Sequence, residues 1–148
     1  MKTKVLTILI FVLSAGLLCF ARQQETLPQL MARADAASSG QQADLCMEVA
    51  EREVKLVIEA NKANKTDELK DSLEQIVKYA EKGHSAAIQS GKRLKHTEIK
   101  LRQVALHLRD LKLDVDVDEQ PLVQAAVDKL EDFRTEILKA MFGSRSND

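Results

Sequence analysis

Apolar residues recur along most of this chain at alternating spacings of three and four, the repeat that lines one face of a helix. Ala43, Met47, Ala50, Val54 and Val57 make one such row, widened by Cys46 and Ile58. Leu69, Leu73, Ile76 and Ala80 make the next, which then turns small at Gly83, Ala86, Ala87 and Ser90. Leu94, Leu101, Val104, Leu108 and Leu111 follow in heptad spacing. Val123, Ala126, Val127, Leu130, Phe133, Ile137 and Met141 form the last row, closed by Phe142.

The punctuation between rows places the helix ends. Thr26 is a candidate cap for a short helix over residues 28–38, with Pro28 in its first turn. Ser38, Ser39 and Gly40 break that helix, and a second runs over residues 42–63. Thr66 caps the third, with Asp67 and Glu68 complementing the positive end of its dipole. Gly91 can take the left-handed conformation that closes a helix. The apolar phase continues through it, however, so one helix over residues 66–113 is also allowed; the gain from folding back into a compact core favours the turn. Asp114 to Glu119 reads as an acidic connector, Asp118 as the cap of the last helix, and Gly143 as its end. The expected fold is all-α: an antiparallel helical bundle of four main helices plus a short N-terminal helix.

One row does not fit a simple amphipathic helix. Ile99, Leu106 and Leu113, spaced by seven, lie nearly opposite the seam of the fourth helix. Either the short first helix covers them with Leu27, Leu30 and Met31, or they stand exposed as a site for another protein or for self-association.

The N-terminus changes the picture of where the protein acts. Lys2 and Lys4 precede a 14-residue apolar run, Val5 to Leu18, and Ala21 offers a small-residue cleavage site. That run is shorter than the ~20 residues a spanning helix needs. A cleaved signal peptide over residues 1–21 is expected, with a helical domain over 22–143 and a loose tail over 144–148. Cys19 follows Leu17 and Leu18 rather than the small residue that precedes a lipidated cysteine. The processed chain carries 20 basic and 23 acidic residues, a net charge of −3. Cys46 is then the single cysteine, so packing and not a disulfide must stabilise the fold, and a buried inert thiol is expected.

Candidate chemistry is sparse. Glu81 and His84, three apart on one helix face, match half of the carboxylate–histidine pattern of metal-binding bundles. The second half is absent, and an exposed polar stretch is the simpler reading. Asp114, Asp116 and Asp118 alternate like calcium-loop ligands, but Glu119 and Ala125 stand where that loop needs Gly and Glu. Lys92, Arg93, Lys95, Lys100 and Arg102, with His96, form a basic patch that fits an anionic membrane surface or an acidic partner, although a merely solvated helix face is the simpler reading. Nucleic acid is not expected: the charge is negative, and few aromatic side chains are available for stacking on bases. No nucleophile–base set, phosphate-cradling glycine spacing or cofactor motif is present. Ala34, Gly40, Ala43 and Ala50 resemble a single helical hairpin of the tetratricopeptide type, without that repeat's Trp, Tyr and Pro positions, which implies no activity.

The expected function is that of a non-enzymatic secreted or periplasmic protein acting through protein–protein contacts, with no cofactor. The alternatives are a small metal-binding bundle using Glu81 and His84, and a membrane-surface binder using the basic patch. Otherwise the membrane is met only during export.

Overall fold

The computed structural model describes residues 25–143. The expected signal segment, residues 1–21, and the tail, residues 144–148, lie outside the described residues. Five helices account for nearly all of the described chain: α1 Leu27–Ala36, α2 Ser39–Lys62, α3 Thr66–Ser90, α4 Leu94–Lys112 and α5 Gln120–Phe142. No strand forms among the described residues, and none of their helices is long and apolar enough to cross a membrane.

The ends follow local chemistry. The Thr26 N–H donates to Gln29 Oε1 at 3.0 Å, supporting the entry to α1. Ser38 occupies the cap position of α2, so the break after α1 is only two residues, Ala37 and Ser38. Ser39 and Gly40, expected in that break, belong instead to the first turn of α2. Gly91 ends α3 with φ +63, which glycine adopts without steric cost, and no single helix runs from 66 to 113. Cap positions shift by one residue at two other helices: Lys65 rather than Thr66 precedes α3, and Glu119 rather than Asp118 precedes α5.

Ion pairs and stacking contacts fix the directions. Lys100 of α4 reaches Glu51 of α2 at 2.8 Å, and Arg93 pairs with Asp44, so α4 runs parallel to α2. Arg134 of α5 meets Glu98 of α4 at 2.6 Å, while Arg109 meets Glu131 at 2.8 Å, so these two helices are antiparallel. Gly83 of α3 lies on Ala43 and Met47 of α2, an antiparallel pair as well. His84 of α3 stacks on Phe133 of α5, and Leu73 shares a groove with Leu122, which makes α3 and α5 parallel. Sequential neighbours alternate in direction, while α2 and α5 lie diagonally across the core and the sides α2–α4 and α3–α5 are parallel.

The inner faces read from the sequence meet in one core. Ala43, Met47, Ala50, Val54, Val57, Leu69, Leu73, Ile76, Leu101, Leu108, Leu130 and Ile137 are all buried within it. Val115, from the connector, plugs its end. A second, smaller cluster holds Leu30 and Ala34 of α1 against Leu45, Cys46 and Val49 of α2 and Tyr79 of α3. Asp35 secures this dock: Lys82 lies 2.6 Å from one carboxylate oxygen, and the Tyr79 hydroxyl donates to the other at 3.3 Å. The hydrogen bond from Lys82 holds the Asp35 carboxyl below its ordinary value. Cys46 is fully buried, and desolvation pushes its thiol up to about 11, which makes it inert.

Candidate functional site

α4 separates its two apolar rows. Its inner face, through Leu101, Val104, Ala105, Leu108 and Leu111, is buried against the other helices. Its outer face carries Ile99, half-buried, and Leu106 at 52% exposure, and the row runs on to Leu113, the residue that caps the helix, at 82%. Val117, in the connector just beyond, is 77% exposed.

The first helix does not cover this row. It makes no contact with α4 and docks on α2 and Tyr79 instead. The two-residue link to α2 keeps α1 close to the helix it precedes, and Leu45 and Val49, one turn apart beside the α2 seam, give it a ready apolar track. Leu45 and Val49 were the available sign that α2 had a second apolar face to cover.

The basic patch is mostly consumed inside the molecule. Arg93 pairs with Asp44, His96 Nε2 lies 3.7 Å from the same carboxylate, and Lys100 pairs with Glu51. Arg102 sits 3.9 Å from Glu98. Lys92 and Lys95 are exposed and form no ion pair among the described residues. A surface whose cations face carboxylates across a helix interface offers little net charge to an anionic bilayer.

Glu81 and His84 part company. Glu81 is exposed, whereas His84 is only 8% exposed, which corrects the reading of residues 81–84 as an exposed stretch. The small face of α3 lets α2 approach closely at Gly83, and that carries His84 inward. Its ring stacks on Phe133, with centroids 5.2 Å apart and planes inclined by 23°. Its Nε2 lies 2.9 Å from Glu136 Oε2. No group of three potential metal ligands comes together among the described residues, around this pair or around Asp114, Asp116 and Asp118.

A groove of about 430 Å³ between α3 and α5 had no counterpart in the sequence reading. Leu73, Val77, Leu122 and Ala126 line it, with Lys70, Lys78, Lys129, Glu74 and Glu81 contributing charge. It exists because α3 and α5 run side by side in the same direction, a non-local fact that no local spacing reveals.

No protein-family model, curated protein or solved structure matches this chain.

Proposed function

We propose that this is an exported helical protein that acts by binding another polypeptide through the outer face of α4. One observation carries the reading: Leu106 and Leu113 remain exposed although the same helix buries a full apolar row on its other side. Burying a leucine side chain is worth roughly 1.5–3 kcal/mol, so leaving two uncovered on one line forgoes stability that a partner can recover. The export part rests on Lys2, Lys4, the run from Val5 to Leu18 and Ala21.

A non-enzymatic role fits the way three polar groups between helices are used. Glu98 is engaged by Arg134, Asp35 by Lys82 and Tyr79, and His84 by Phe133 and Glu136. Each fastens one helix to another, and none of these groups opens into the α3–α5 groove.

The test uses residues 22–148 and a Leu106→Glu variant as paired baits on extract from the native compartment. A partner held by the unsubstituted chain and lost by the variant is expected. The variant's stability should stay within about 0.5 kcal/mol, as for other exposed substitutions. Equal retention by both baits would refute the assignment to α4, and unfolding of the variant would show that the row is core.

A further inference from the structure

We infer that the polypeptide received by the outer face of α4 is a second copy of this chain, packed antiparallel about a two-fold axis at Leu106. The inference rests on the reading of that face as a binding surface, and it names the occupant.

The first argument is the symmetry of the row. Ile99 and Leu113 stand seven residues to either side of Leu106. A two-fold axis through Leu106 sets it against its own copy and sets Ile99 against Leu113 of the second copy, so one patch serves both sides of an isologous contact. The layers are two turns apart, about 10.5 Å at ~1.5 Å per residue, the spacing at which two helices keep a common seam.

Charge supplies the second argument, and it selects the direction. Along α4 and its flanking turns the exposed residues are basic towards the N-terminal end, at Lys92, Lys95 and Arg102, and mostly acidic towards the C-terminal end, at Asp110, Asp114, Asp116 and Asp118, with Arg109 the exception. A parallel pairing would align like with like. The antiparallel pairing brings opposite ends together, and the same axis that exchanges 99 and 113 exchanges 102 and 110. Arg102 then faces Asp110 of the second copy, twice per dimer. Both residues are exposed and available: Arg102 has only Glu98 at 3.9 Å, and Asp110 makes no ion pair among the described residues. Arg109, by contrast, is committed to Glu131 of its own chain.

The contact is modest in extent. One helix of 19 residues, with Gln103 and Asp110 flanking the apolar row, gives an interface at the low end of the size range. A contact of this extent fits a reversible dimer rather than a permanent one.

Two measurements on residues 22–148 test the arrangement. Sedimentation equilibrium of the unsubstituted chain should show a monomer–dimer equilibrium. Arg102→Asp should weaken it about tenfold or more, and adding Asp110→Arg in the same chain should restore it. Oxidative cross-linking then reads the axis. Leu106→Cys should form a disulfide-linked dimer readily, because residue 106 meets itself, while Cys46 is buried and does not compete. Leu113→Cys alone should not cross-link, since the two copies of residue 113 lie about 21 Å apart along the seam at ~1.5 Å per residue. It should link to Ile99→Cys when the two variants are mixed. A chain that stays monomeric overturns the inference, as does equal cross-linking at 106 and 113. If that monomer still loses an outside partner on Leu106→Glu, the binding face stands and only its occupant is wrong. If it loses none, the binding face fails too.

Discussion

The α2–α3 and α4–α5 seams solve the same packing problem in different ways. Along α2–α3 the helices come close through small residues. A Cβ on Gly83 would sit 3.2 Å from the Ala43 carbonyl oxygen and from Cys46 Cβ, and 3.3 Å from Met47 Sδ. Along α4–α5 the facing side chains are larger, and a ladder of charge runs down the edge: Glu98 to Arg134 at 2.6 Å, Arg134 to Glu131 at 3.2 Å, and Glu131 to Arg109 at 2.8 Å. Each seam also holds a buried glutamate. Glu98 has an arginine on it, whereas Glu53, at 3% exposure, has no cation among the described residues. Burial pushes the Glu53 carboxyl up, and the hydrogen bond from Ser72 offsets only part of that.

The largest expected effect breaks the leucine-packed side. Leu130→Ala should cost roughly 2–5 kcal/mol in denaturant unfolding, because Leu130 is fully buried in a core that can only partly collapse around the void. A loss under 1 kcal/mol would mean that the α5 face is looser than described.

The close-packed side should respond to added volume. Gly83→Val should destabilise by about 1–3 kcal/mol, the usual range for overpacking, despite the helix propensity gained on removing glycine. Its new methyl groups meet a carbonyl of α2, which is part of a helix and yields little. A neutral result would show that close approach is not what holds α2 to α3.

The smallest effect sharpens the contrast between the two glutamates. Because the Glu53 carboxyl is raised in the folded state, the fold keeps its proton after the unfolded chain has released it. Stability therefore falls as pH rises from the ordinary glutamate range through the raised value. Glu53→Gln removes that loss, so its stability advantage over the unsubstituted chain should grow with pH across this window and shrink below it. Unfolding measured for both chains at several pH values decides the matter, and a difference that ignores pH would remove Glu53 as its source.

Much of this was already legible in the residues themselves. Helix periodicity is local information, and it marked Leu101, Leu108, Leu130 and Ile137 as inner positions; all four are fully buried. The stop at Gly91 was equally local, since it needed a positive φ at the glycine; the turn takes a second one at Arg93, which nothing in the spacing marked. The second row of α4 was local too, and simple angular spacing placed it opposite the seam. What spacing leaves open is which faces meet. A helix with two apolar rows states that both need attention, not which neighbour supplies it, and so the destination of α1 was decided by packing against α2 and Tyr79. The burial of His84 depended on Gly83 letting two backbones approach, and the α3–α5 groove depended on two helices far apart in sequence lying parallel. The basic patch looked free because its carboxylates, Asp44 and Glu51, stand about fifty residues away in the chain. Sequence alone determined the helices and their inner faces, because those depend on neighbours within a turn or two. Tertiary structure alone decided which outer faces were covered, because that depends on residues the chain brings back from a distance.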